Sequence, residues 1–136
     1  MTNKSNHDND RFPSGPWTGF YLDPRQPGQH RTDLDLSFYR GKIAGSGSDK
    51  AGAFTITGRY SEDGEVRWSK SYAGHAVTYR GFREGKGIWG TWQLEDGGHV
   101  VRGGFHIWPQ RAGEGIEENA EVAASDPAET LLNAGT

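Results

Sequence analysis

The stretch Val66–Gly81, VRWSKSYAGHAVTYRG, limits the fold more than any other part of the chain. Side chains of a strand alternate between two faces. One face here carries Val66, Trp68, Lys70 and Tyr72, then His75, Val77 and Tyr79. The other carries Arg67, Ser69 and Ser71, then Ala76, Thr78 and Arg80. In a two-residue hairpin loop the flanking residues oppose each other on one side of the sheet. With Ala73-Gly74 as the loop, Tyr72 faces His75, Lys70 faces Val77 and Trp68 faces Tyr79. Apolar face meets apolar face, as a half-buried hairpin requires.

The same test extends along the chain. A loop at Arg40-Gly41 sets Phe38 opposite Ile43. A loop at Gly97-Gly98 sets Leu94 opposite Val101, Trp92 opposite Gly103 and Gly90 opposite Phe105. Glu62-Asp63-Gly64 fits a three-residue loop with Gly in the left-handed position, pairing Tyr60 with Val66 and Ile56 with Lys70. Asp49–Gly52 reads as a four-residue turn with Gly47 opposite Phe54. Glu84-Gly85 reads as a loop that places Gly81 opposite Ile88 and Tyr79 opposite Gly90. WTGFYL (Trp17–Leu22) adds a first strand, and Asp23–Arg31 is the one long connection. The expected fold class is all-β: an eight-stranded antiparallel up-and-down β-barrel, which closes on itself and leaves no edge. A two-sheet sandwich is the alternative, but it would use longer crossovers. Inward glycines such as Gly58, Gly81 and Gly90 suit a small, strongly coiled barrel.

Composition agrees. Of 136 residues only 32% are hydrophobic, while 21 are Gly and 16 are aromatic. The barrel is expected over residues 15–109, preceded by a disordered tail at 1–14. Residues 110–136 read as an acidic, mostly flexible tail, in which SDPAETLLNAG has a helix-start signature and Leu131-Leu132 a docking contact. Neither tail is expected to contribute to the core. A net charge of −3 speaks against a nucleic-acid partner. The absence of Cys excludes disulfides and thiolate chemistry. No secretory h-region and no run of membrane-spanning length is seen, so a soluble, cytoplasmic protein with no membrane partner is expected. An oligomer stays open.

The opening GPWTGFY and the late GTW resemble strand motifs of streptavidin-like and lipocalin-like barrels. Across residues 15–109 the chain is similar to a small uncharacterised β-barrel domain family, through WTGFY, GSGSDKAGAFTITGRY, KSYAGHAVTYRG, GIWGTW and GGFHIWP. That resemblance implies a barrel and brings no activity with it. Biotin binding is not implied, since Trp17-Thr18-Gly19-Phe20 lacks the polar biotin ligand just after the Trp.

Lys70 and His75 sit on the apolar face and so define the candidate site. A buried ammonium is costly unless it finds a partner, reaches water or loses its charge. Connections of one parity gather at one barrel end, which places Tyr72 and His75 below that rim, then Lys70 and Val77, then Trp68 and Tyr79. Trp17 enters from the opposite end as a plug. The expected ligand-binding residues are Lys70, Tyr72, His75, Tyr79, Trp68, Tyr21 and Asp49, around a small apolar or amphipathic molecule with an anionic or hydrogen-bonding head. Asp49 reads first as a turn residue, with Lys50 or Lys70 as partners within reach. The stretch DPRQPGQH is placed as a lid, with Arg25 and His30 as donors. Lys70→Met is expected to spare the fold and abolish ligand retention. The bland alternative is a lysine that snorkels to the mouth. No catalytic motif is present, and His30, His75, His99 and His106 are too scattered for a zinc site, so no cofactor is expected. Outward Arg59, Arg67 and Arg80, with Phe82 and Trp89, support the rival reading of an interaction or self-association surface on the outer wall.

Overall fold

The computed structural model describes residues 11–110. Eight strands follow in order: β1 (Gly15–Asp23), β2 (Gln26–Tyr39), β3 (Lys42–Asp49), β4 (Gly52–Tyr60), β5 (Glu65–Ser71), β6 (Ala76–Glu84), β7 (Gly87–Asp96) and β8 (His99–Pro109). Each pairs antiparallel with the next, and β8 closes on β1, so the sheet is a closed up-and-down barrel. The tail expectations for residues 1–10, for the acidic segment from 111 onward and for Leu131-Leu132 lie outside the described residues.

The turn residues set the register. Arg40 and Gly41 (φ 48° and 82°) and Gly97 and Gly98 (φ 57° and 89°) form loops with both central residues left-handed, the type I′ pattern whose twist suits a hairpin. Phe38 accordingly pairs with Ile43 and Leu94 with Val101. Gly64 takes φ 105° in the three-residue loop, and Tyr60 pairs with Val66. Lys70 pairs with Val77 and Trp68 with Tyr79.

Three expectations are corrected. The β6–β7 loop is Gly85-Lys86, not Glu84-Gly85, so Gly81 lies opposite Gly90 and Tyr79 opposite Trp92. Gly85 has φ 61° and Lys86 is not left-handed, which puts Gly first in a type II′ loop rather than second in a type I′ loop. The slip is two residues, so every side chain keeps its face. Secondly, Asp23–Arg31 is not a long loop. β2 begins at Gln26, and the irregularity is a bulge in which Pro27 and Gly28 oppose the Leu22–Asp23 step. A bulge is where a strand tolerates Pro. Thirdly, Arg11–Ser14 belong to the barrel rather than to a tail. Phe12 is 2% exposed and packs on Tyr60 and Phe38, with ring centroids at 4.6 and 5.2 Å. The Trp17 Nε1–H donates to the Pro13 carbonyl at 2.9 Å, and the Phe38 N–H donates to Ser14 Oγ at 2.9 Å. Phe12 and Trp17 together seal this end.

Inward residues fill the middle. Trp68 stacks on Tyr79 at 5.4 Å, and Phe105 meets both rings edge-on. Space here is made by glycine. A Cβ on Gly90 would fall on the Arg80 carbonyl oxygen and 2.6 Å from the Gly81 Cα. Backbone cannot yield as the tip of a side chain can. Gly90→Val is therefore expected to cost on the order of 3 kcal/mol, the upper end of ordinary overpacking. Urea unfolding checks it, and a neutral result contradicts the register.

The outer wall carries an aromatic row. Cross-strand pairing aligns Phe20, His106, Trp89 and Phe82 over β1, β8, β7 and β6. The His106 ring lies parallel to Trp89 at 3.5 Å, and burial holds its pKa down at about 4. In the unfolded chain that value is about 6.5. Between the two, the unfolded chain binds a proton that the folded chain refuses. This contribution is therefore intact above pH of about 6.5 and is lost as pH falls to about 4. The expected loss is about 2–3 kcal/mol, read as a fall in the urea midpoint that His106→Phe reduces by that share.

Candidate ligand-binding site

The β1–β2, β3–β4, β5–β6 and β7–β8 turns gather at the end opposite Phe12. A cavity of about 220 Å³ opens there. Its inner wall is Tyr21, Tyr72, Val77, Tyr79, Trp92 and Leu94. Its lip includes Asp23, Arg25, Gln26, His30, Lys50 and His75. The wall follows from parity, because Val77 and Tyr79 point inward from β6, and Trp92 and Leu94 from β7. The Trp92 indole N–H donates to the Leu22 carbonyl at 3.0 Å, which ties the ring to β1, where it meets Tyr21 edge-on.

Lys70 does not line this cavity. It lies under the β3–β4 turn, with its side chain 2% exposed, and its Nζ reaches Asp49 Oδ2 at 3.1 Å. The Asp49 side chain is 0% exposed. The same Oδ2 accepts the Tyr72 hydroxyl at 2.7 Å, while Oδ1 accepts the Ala51 N–H at 2.9 Å. Asp49 thus shapes the turn and neutralises Lys70 at once. Four rings surround the ammonium: Phe54 at 4.3 Å, Tyr79 at 5.0 Å, Tyr21 at 5.5 Å and Tyr72 at 5.8 Å. A desolvated cation gains about 2 kcal/mol from such a face. Burial lowers the Lys70 pKa, and Asp49 opposes that shift. Lys70 neither snorkels nor presents its charge to a ligand. Its role is a buried ion pair, and the expectation that Lys70→Met spares the fold is replaced accordingly.

The other expected residues divide. Tyr21, Tyr72, His75 and Tyr79 meet around the cavity. Trp68, directly opposite Tyr79 in the same layer and stacked on it, does not line the cavity, and Asp49 lies behind Tyr72. His75 stacks on Tyr72 at 4.7 Å and stays exposed at the lip. The proposed lid stretch is the paired tip of the β1–β2 hairpin. Arg25 there is engaged with Asp23 at 2.9 Å, and His30 packs on Tyr21 at 5.2 Å. Trp92 and Leu94 were not among the expected ligand residues. The turn test nevertheless sets them in the layers under Gly97-Gly98, at this same end.

Three tyrosines keep their protons. Burial pushes Tyr21 up to about 12 and raises Tyr72 and Tyr79 above the usual phenol range, with Asp49 adding to each. The site therefore offers neutral hydroxyls, aromatic faces and two aliphatic side chains, in a pocket closed below by the barrel core. No protein-family model matches the sequence, and no curated protein matches it.

Proposed function

We propose that the chain is a non-catalytic binding barrel that holds a small apolar or amphipathic molecule in its mouth cavity, in the manner of lipocalin-like and streptavidin-like barrels. The carrying observation is the asymmetry of the two ends. One is sealed by Phe12 and Trp17, while the other keeps about 220 Å³ open between Tyr72, Tyr79 and Trp92. An apolar cavity of about 150 Å³ holds benzene, so the ligand is one ring with a short substituent, or a short chain. The non-catalytic part rests on Lys70. The amine that could have acted as a nucleophile is held by Asp49 and lies outside the cavity. Native mass spectrometry of the full chain from its own cell tests the reading. A retained small mass that Val77→Phe, which fills the cavity, eliminates is the expected result; the same mass on both proteins counts against the site.

A second reading uses the outer wall. Lys42, Arg59, Arg67 and Arg80 stand directly opposite one another across β3 to β6, all exposed and with no carboxylate partner among the described residues. Like charges so placed destabilise a sheet. Phe82 and Trp89, 56% and 41% exposed, lie on the next outward row. An interaction surface accounts for both features. Arg67→Glu creates two cross-strand ion pairs and is expected to raise stability by about 0.5–1 kcal/mol. Light scattering of the full chain tests self-association: a mass that grows with concentration and reverts in Phe82→Ser supports it, and a constant monomer mass counts against it.

A further inference from the structure

Two hydroxyls at the mouth cavity lack a protein partner. Tyr79 is 6% exposed and lines the cavity, and its hydroxyl makes no hydrogen bond among the described residues. The Tyr21 hydroxyl, also at the cavity, makes none among the described residues either. Tyr72 differs, since its proton is committed to Asp49 at 2.7 Å. Both oxygens keep contact with the open cavity instead of being sealed from water, so a ligand acceptor takes the place of water on them.

The surrounding charges decide what kind of acceptor fits. Asp49 holds Lys70 at 3.1 Å. Arg25 holds Asp23 at 2.9 Å and lies 4.0 Å from Asp96. Lys50 stands at the exposed lip, with its Nζ on Gln26 Oε1 at 2.7 Å. His30 and His75 are lip residues as well. The inner wall therefore has no uncompensated charge. A carboxylate at Tyr79 would need the cation that Asp49 already neutralises. An ammonium there would face Lys70. Either charge would be desolvated without a counter-ion.

We infer that the ligand enters with an uncharged hydrogen-bond acceptor foremost, a ketone, amide or ether oxygen that takes the hydroxyls of Tyr79 and Tyr21, while its ring or chain lies against Val77, Trp92 and Leu94. This rests on the ligand-binding reading and specifies its chemistry. It departs from the sequence expectation of an anionic head on Lys70.

Four probes of similar size separate the outcomes: toluene, acetophenone, benzoate and benzylamine, each titrated calorimetrically into the full chain. Acetophenone is expected to bind about tenfold more tightly than the other three, the gain of one well-made hydrogen bond. Tyr79→Phe is expected to bring acetophenone to the affinity that toluene has for the same variant, with an unchanged circular dichroism spectrum showing that the variant is folded. If benzoate or benzylamine binds most tightly, or if Tyr79→Phe preserves the acetophenone preference, the inference is overturned and toluene binding still upholds the cavity as a site. If none of the four binds, the binding reading itself falls, and the inference with it.

Discussion

Asp49→Ala is expected to destabilise the barrel by about 3–5 kcal/mol, because it strands the Lys70 ammonium where water cannot reach it. The loss has three parts. The Lys70 charge keeps only aromatic faces around it. The Tyr72 hydroxyl loses its acceptor, and the Ala51 N–H loses the oxygen that shapes the β3–β4 turn. Lys70→Met alone is expected to cost a comparable amount, since it leaves the Asp49 carboxylate buried with no cation. The double variant Asp49→Ala/Lys70→Met removes both charges and should be more stable than either single variant. A buried ion pair is seldom better than a well-packed apolar replacement, but half of one is much worse than either. Urea unfolding of the four proteins closes the cycle. Single-variant losses below about 1 kcal/mol would show that water reaches the pair.

Phe12→Ala is expected to cost about 3–5 kcal/mol, the range for removing a buried Phe from a core. The ring caps Phe38 and Tyr60, so its loss opens the closed end of the barrel. A truncation that starts at residue 15 should lose at least as much, because the Pro13 carbonyl and Ser14 hydroxyl leave with it. Thermal unfolding reads the effect as a fall in Tm of well over 10 °C for a domain of this size. A fall of only a few degrees would mean that the segment before β1 adds nothing to the core.

Phe12 also marks where sequence reasoning reached its limit. A single aromatic residue after a polar segment carries no periodicity, and only the folded barrel shows that it covers an open end. The hairpins were legible for the opposite reason. Arg40-Gly41, Ala73-Gly74 and Gly97-Gly98 fix which residues oppose each other, and period-two alternation then carries the register along each strand. The β6–β7 turn is ambiguous in the sequence because Gly85 serves equally as the second residue of a type I′ loop or the first of a type II′ loop. Pro27 and Gly28 resemble a loop in any sequence, and here they are a bulge in a strand of 14 residues.

The site was legible by layer but not by contact. Parity placed Lys70, Tyr72, Val77 and Tyr79 inside and at one end. Which of them would face a cavity depended on how Phe54, Tyr72 and the Asp49 turn fold over the lysine. That arrangement is a matter of rotamers and packing, which alternation does not encode. The sequence marks Asp49 first as a turn residue, with Lys50 or Lys70 within its reach. Both roles hold, through different oxygens of one carboxylate.

The most direct test of the mouth cavity is a methyl NMR titration of the full chain with toluene. The methyl resonances of Val77 and Leu94, which line the cavity, are expected to shift saturably together. Those of Val66 and Ile43, buried outside the cavity wall, and of Val100 on the outer face should stay in place. Shifts confined to Val100, or none at Val77 and Leu94 up to the solubility limit of toluene, would contradict the binding site.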